Sequence, residues 1–267
     1  MHGAGIGNIA SKKWGVASKA ALVVAGLVAV NSVAFAVTPQ KEGAVEYIGS
    51  QKDIVASGKT GSIINLQELA GTKNLFAMGP VAGLDGEITI FNSQPYVSQV
   101  RGDDYEVHNS LDYGAIFLVW SAQAEWRDIA IPETVKSYLD LQDFVKQQAQ
   151  AADLDTGKAF AFLLSGTPAE IKWHINVDRT GGQAITQELF LKSKAPFVTK
   201  NEPVDILGFY AENHPGEFIT KTSPAIKSDS GRQNAMHIHL VSKTDKATGH
   251  IDDLTLGPGM ILRLPKS

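Results

Sequence analysis

The sequence predicts an α+β protein built from two sheet-based lobes. Residues 132–152 carry apolar side chains at helical spacing, and the segment opens with proline and glutamate, which are common in the first turn of a helix. Strand-like segments bounded by turn residues precede and follow it. One long helix between two β-rich segments favours a mixed-sheet N-terminal lobe with helices at residues 37–155 and an antiparallel, β-rich C-terminal lobe at residues 156–267.

Shorter elements follow from local patterns. Residues 37–60 are polar and predict a loosely held entry segment, whereas residues 65–71 predict a short helix with an asparagine cap and a terminal glycine. A continuous apolar run at residues 115–120 is typical of a strand buried on both faces. The remaining strands are predicted at residues 87–91, 95–100, 159–164, 171–177, 186–191, 204–210, 236–241, 250–256 and 260–264.

The first 36 residues have the features of a secretory signal peptide. They contain no acidic residue, carry three lysines, and have an apolar stretch at residues 20–30 before Ala34-Phe35-Ala36. That stretch is shorter than the ~20 residues that span a bilayer. We expect cleavage after Ala36, which leaves no stable membrane span and makes the protein secreted or periplasmic. An uncleaved N-terminal anchor is the alternative.

Charge and cysteine content narrow the function classes. Removal of residues 1–36 lowers the basic residues from 24 to 21 against 28 acidic ones, so the net charge falls from −4 to about −7. No basic block remains to follow a phosphate backbone, which argues against nucleic acid as a partner. The chain has no cysteine, so any metal is bound by nitrogen and oxygen donors, as suits zinc, manganese, iron or nickel.

Three of the seven histidines lie within fourteen positions near the C-terminus, at His237, His239 and His250. Side chains two apart on a strand share a face. The polar, glycine-containing residues 243–249 predict a hairpin turn that brings His250 back beside His239. Three neutral imidazoles around one point are the usual protein part of a catalytic zinc site. A solvated strand face is the alternative interpretation.

Residues 79–87 form a second distinctive segment, with three glycines and a proline in nine positions. Such a composition predicts a tightly bent backbone. Asp85-Gly86 suits the turn of a hairpin. Glu87 then begins the next strand, either as an ordinary exposed carboxylate or as a metal neighbour and proton donor.

Taken in order, Gly79, Leu84-Asp85-Gly86-Glu87 and His237-x-His239-x10-His250 resemble the α-acetolactate decarboxylases. The resemblance extends from about residue 62 to residue 265. It implies that the three histidines bind Zn²⁺, or another divalent metal, in a cleft between two lobes. It also implies that Glu87 lies at the metal and that the protein forms a homodimer.

The sequence departs from the family pattern in two places. Alignment at Gly166 puts His174 where the family has an active-site arginine, and the sequence ends at Ser267, before the family's C-terminal tail. We therefore expect a divergent branch. His174 is a candidate fourth ligand, an acid or a neutral donor to a substrate oxygen, and the alternative is a hydrogen-bonded histidine on a sheet face.

The resemblance implies a metal-dependent carboxy-lyase that converts small 2-hydroxy-3-oxo acids such as 2-acetolactate to acetoin and carbon dioxide. Glu87 is then the proton carrier and His174 the partner of the leaving carboxylate. Asp252 either orients an imidazole or is solvated. Two other functions remain open: a metal-dependent lyase or isomerase of a different small oxo acid, and an exported, non-catalytic protein that binds a metal or ligand.

Overall fold

The computed structural model describes residues 42–220, 223–227 and 229–266, so the predicted signal peptide lies outside the described residues. The secondary structure of the described part runs β1 Val45–Ile48, α1 Gln51–Ser57, β2 Ile64–Asn65, β3 Leu75–Pro80, β4 Glu87–Phe91, β5 Gln94–Arg101, β6 Asp104–His108, β7 Gly114–Ala115, β8 Leu118–Ala122, β9 Trp126–Ala130, α2 Tyr138–Ala151, β10 Phe160–Gly166, β11 Glu170–Asn176, α3 Gln187–Lys192, β12 Lys194–Thr199, β13 Val204–Tyr210, β14 Met236–Ser242, β15 Thr248–Thr255 and β16 Ile261–Pro265.

Two large antiparallel sheets organise these elements. The first has six strands in the order β1-β8-β3-β4-β5-β6, and the second has eight in the order β12-β11-β15-β14-β13-β10-β16-β9. The prediction of a mixed N-terminal sheet is wrong, because every strand pair in the six-stranded sheet is antiparallel. The strands from β3 to β6 follow one another through short connections, whereas parallel neighbours need a long crossover.

The eight-stranded sheet packs on both faces. One face lies against α2, whose Leu141 and Val145 share an apolar cluster with Ile238 and Leu240 of β14. The opposite face joins a second apolar cluster that includes strand residues of both large sheets: Phe76, Met78, Val119, Ala161, Leu163, Leu207 and Phe209. The second face is therefore the one that meets the six-stranded sheet.

The long helix α2 is confirmed, but it begins at Tyr138 rather than at Pro132. Ser137 Oγ accepts from the Asp140 amide while the Asp140 carboxylate accepts from the Ser137 amide, and this capping box sets the start of the helix. β9 and α2 both precede residue 155, yet they join the eight-stranded sheet. The lobe boundary at residues 155/156 stays a prediction.

Most predicted elements have counterparts close to their expected bounds, with three corrections. The strand predicted at residues 186–191 is wrong: Thr186 caps the helix α3 there, because its Oγ1 accepts from the Leu189 amide. The run at residues 115–120 is broken between β7 and β8. Residues 37–60 contain β1 and α1 instead of a loose segment alone. No helix of the described part is long and apolar enough to cross a membrane.

Candidate metal centre

A row of histidines crosses three adjacent strands of the eight-stranded sheet. His174 of β11 lies directly opposite His250 of β15, which lies directly opposite His239 of β14. His237, two residues before His239, is on the same face. The predicted hairpin is confirmed, because β14 ends at Ser242 and β15 begins at Thr248.

His237, His239 and His250 form a group that can hold a metal ion, since one nitrogen of each lies within 4.8 Å of the others. The Nε2 atoms of His237 and His239 are 3.2 Å apart. His237 Nδ1 donates to the Phe218 carbonyl at 2.6 Å, and His239 Nδ1 lies 3.2 Å from the Ile88 carbonyl. Because carbonyls only accept, the neutral rings carry their protons on Nδ1 and turn two lone pairs toward each other. A shared cation would satisfy both lone pairs.

The burial of these imidazole rings keeps them neutral, and a neutral ring is the form that can bind a metal ion. Only 2% of His237 and none of His239 is exposed. Burial lowers the pKa of His237 to about 4 and holds the pKa values of His239 and His250 well below their ordinary range. The alternative of a solvated strand face is therefore wrong for His237 and His239.

Two buried threonines set the orientation of the His239 ring. Thr248 Oγ1 donates to the Leu240 carbonyl at 2.7 Å, so it accepts from Thr89 Oγ1 at 2.6 Å. Thr89 Oγ1 is then free to accept from His239 Nδ1 at 3.1 Å. Hydrogen bonds of this kind hold the tautomer and the orientation of a ligating imidazole. The sequence reasoning missed both threonines, although Thr89 shares the strand face of Glu87.

Glu87 reaches the histidine group from the six-stranded sheet. Its Oε2 lies 3.7 Å from His239 Nε2, and its Oε1 accepts from Asn176 Nδ2 at 2.5 Å. Only 2% of Glu87 is exposed, so the interpretation as an exposed carboxylate is wrong. Burial raises the pKa of Glu87 to about 8. A carboxyl group that carries a proton near neutral pH therefore lies beside the imidazoles.

The glycine-rich connection between β3 and β4 puts Glu87 in this position. It is a hairpin, as predicted, but its six residues include a 3₁₀ turn at Ala82–Leu84, so Asp85-Gly86 alone does not make the turn. Gly86 has φ +139°, and a Cβ there would lie 2.5 Å from the Ser98 carbonyl. Only glycine allows β4 to approach β5 this closely.

His174 is a buried neighbour of the three-histidine group. Its ring centroid lies 4.9 Å from that of His250. Its Nδ1 donates to Asp252 Oδ2 at 2.8 Å, and burial lowers its pKa. A bulge opposite the Lys172/Trp173 step leaves Asp252 without a ladder partner and lets its carboxylate reach His174. Asp252 therefore orients His174, and the neutral His174 ring presents a lone pair at Nε2.

The site opens into a cavity of about 600 Å³. Its polar lining includes Glu87, His174, Asn176, Lys194, His237 and His250. Asn176 and Lys194 were not predicted, because neither belongs to a recognisable motif. Only the pairing of β11 with β12 brings them to the site.

The fold and the site define a class of protein with two large antiparallel sheets, a three-histidine group on one sheet, of which His237 and His239 are buried, and a buried carboxyl group on the other. Solved structures share this fold. The crystal structure of α-acetolactate decarboxylase from Bacillus subtilis strain 168 has a TM-score of 0.63 at 15% identity, covering 84% of this chain and 86% of that one. Acetolactate decarboxylase from Bacillus subtilis subspecies spizizenii gives a TM-score of 0.63 at 14% identity with the same coverage.

A protein from Staphylococcus aureus described as similar to α-acetolactate decarboxylase has a TM-score of 0.61 at 14% identity, again covering 84% of this chain and 86% of that one. No family model and no curated protein matches the sequence. The resemblance predicted from the two motifs is thus confirmed at the level of the fold, at an identity that marks the chain as divergent.

Proposed function

We propose that this protein is a metal-dependent carboxy-lyase that decarboxylates 2-acetolactate or a similar 2-hydroxy-3-oxo acid to acetoin and carbon dioxide, in a cleft between two lobes. The observation that carries the proposal is the convergence of two imidazole lone pairs 3.2 Å apart and a buried carboxyl group 3.7 Å from one of them. The fold in which they converge is the one found in acetolactate decarboxylases.

The donor set fits a zinc ion or another divalent metal with nitrogen ligands. His237, His239 and His250 would hold the ion through neutral rings, two of them oriented by backbone carbonyls. A bound divalent ion supplies Lewis-acid chemistry, which polarises the oxygens of a hydroxy-oxo acid.

Glu87 supplies the proton in this proposal. Loss of carbon dioxide breaks the bond between the carboxylate carbon and C2, and the electron pair stays on C2, where one proton must be added to give acetoin. A carboxyl group whose pKa is raised to about 8 carries that proton at neutral pH. Asn176 holds the carboxyl group through Oε1 and leaves Oε2 nearer the histidines.

The role of His174 depends on the proton at its Nε2. As the partner of the leaving carboxylate, it must carry a proton there, which requires a charged ring. In the neutral ring, with the Nδ1 proton donated to Asp252, Nε2 instead accepts a hydrogen bond from a substrate hydroxyl. We propose that His174 is neutral when the substrate binds and that its Nε2 accepts this hydrogen bond.

An assay with racemic 2-acetolactate tests the function. Metal-loaded protein should release acetoin, a chelator should stop the reaction, and added metal should restore it. His214→Ala is the matched control, because His214 pairs with Glu217 outside this cavity. If the loaded protein forms no acetoin, the decarboxylase proposal is wrong, and a lyase or isomerase of another small oxo acid or a non-catalytic binding protein remains. Protein that neither contains nor takes up metal excludes every metal-dependent version.

We also propose that the protein acts outside the cytoplasm after cleavage following Ala36. N-terminal sequencing of protein recovered from the exported fraction tests this. A chain that begins at Val37 supports it, whereas an intact N-terminus contradicts it.

A further inference from the structure

Lys194 is a cation in the lining of the cavity, and the reaction described above does not use it. It is the first residue of β12 and lies opposite Asn176 of β11, so the two side chains share the face that lines the cavity. Lys194 is half-buried, and its Nζ lies 5.7 Å from the centroid of the Phe190 ring. Among the described residues it has no ion-pair partner within 4 Å. A lysine in such a place has a charge available for a ligand.

The neighbouring side chain gives an independent sign of a ligand at this end of the cavity. Asn176 is 5% exposed and donates through Nδ2 to Glu87, but its Oδ1 has no hydrogen-bond partner in the described structure. A buried acceptor without a partner is unfavourable, because it has lost its hydrogen bonds to water. A hydroxyl group of a bound ligand would satisfy it.

The other charged groups of the cavity are already engaged. Glu87 accepts from Asn176, Asp252 accepts from His174, and the more exposed Lys52 pairs with Glu217 at 3.5 Å. Among the described side chains that line this cavity, Lys194 is therefore the cation that has no ion-pair partner within 4 Å. Burial lowers the pKa of Lys194, and the nearby Asp252 carboxylate opposes this by favouring the charged ammonium group.

We propose that Lys194 is the specificity residue that pairs with the carboxylate of the ligand, and that this site selects small 2-hydroxy carboxylates over neutral analogues. The proposal deepens the proposed function and takes its substrate class from it. A single charge-assisted hydrogen bond of this kind corresponds to about 10- to 100-fold in affinity.

Binding of two unreactive probes tests the proposal apart from catalysis. 2-Hydroxy-2-methylpropanoate carries the carboxylate, and 2-hydroxy-2-methylpropanamide has the same shape without the charge. By calorimetry on metal-loaded protein, Lys194→Met should lose about 10- to 100-fold in affinity for the acid and change little for the amide. Lys194→Arg should keep the preference for the acid.

Lys192→Met is the matched control, because it removes the same charge two residues away, where Lys192 pairs with Glu188 on the exposed surface. It should bind both probes as the unmodified protein does. Unchanged acid affinity in Lys194→Met, or an equal loss for acid and amide, would overturn the proposal. The second result would mark Lys194 as a residue that only supports the cavity wall.

Turnover separates this proposal from the decarboxylase proposal. With 2-acetolactate, Lys194→Met should raise KM by about 10- to 100-fold and lower kcat less, because the carboxylate charge disappears as carbon dioxide forms. If acetoin forms with an unchanged KM, the Lys194 proposal is wrong and the proposed reaction stands. If no acetoin forms but the acid preference depends on Lys194, the reaction is wrong and the carboxylate site stands.

Discussion

The two faces of strand β14 are equally buried, but one packs in the apolar core and the other carries the histidines of the candidate site. Met236, Ile238 and Leu240 have 0% exposure and pack in the cluster that contains α2. His237 and His239 alternate with them, are 2% and 0% exposed, and face Glu87 on the other sheet. One face is core and the other is the candidate site, so burial alone does not distinguish them.

The difference lies in what burial does to each kind of side chain. An apolar side chain gains about 25 cal/mol for each Å² removed from water. An imidazole loses hydration and needs a partner for each ring nitrogen. The Nδ1 atoms of His237 and His239 have carbonyl partners, but their Nε2 atoms have only each other. A buried face whose imidazole nitrogens lack hydrogen-bond donors therefore distinguishes the candidate site from the core.

The largest expected effect comes from the polar face. His239→Ala removes one of the two facing lone pairs and should lower metal affinity more than about 100-fold, since even an outer-shell change costs 10- to 100-fold. Decarboxylase activity should fall to background. Metal content by elemental analysis checks this, and a variant that keeps a full equivalent of metal would contradict the three-histidine site.

Glu87→Gln should have the next largest effect, lowering kcat about 10²- to 10⁴-fold while metal stays bound, because glutamine cannot carry the proton.

Glu87→Gln should also change the pH dependence of folding in the metal-free protein. Folding raises the Glu87 pKa from 4.5 to about 8, so the contribution of Glu87 to stability is fully present below pH 4.5 and is lost as pH rises toward 8. The buried histidines act in the opposite direction, because an unfolded histidine still binds protons around its ordinary pKa of 6.5, and this effect fades above about pH 7.5. Urea unfolding of both proteins between pH 6.5 and 8 should therefore show that the unmodified protein loses stability relative to Glu87→Gln as pH rises, since the histidines contribute equally to both.

The smallest effect on function is expected from the apolar face. Ile238→Ala leaves a cavity beside α2 and should lower the free energy of unfolding by about 2–5 kcal/mol. Metal content and kcat of the folded protein should change little, because the histidine face keeps its partners. Loss of metal at full folding would mean that the two faces of β14 are coupled.

Part of this architecture follows from local pattern and part does not. The β14–β15 hairpin and β13 were predictable because apolar alternation and a polar turn act over a few residues. The start of α2 was predicted six residues early, because Pro132 suits a first turn but the Ser137 capping box competes for the role. The strand predicted at residues 186–191 was wrong for a different reason, because a short segment of mixed polarity fits a strand or a helix and its pattern does not decide between them.

The sequence by itself determined that His237 and His239 share a face, that a turn lies between them and His250, and that a tight glycine turn precedes Glu87, because strand periodicity and backbone sterics are local. Tertiary structure alone decided which distant groups meet that face. It brings Thr89 under His239, Asp252 to His174, and the Asn176–Lys194 pair to the cavity. Those contacts join residues from separate strands and depend on sheet order, register and one β-bulge, which no local pattern specifies.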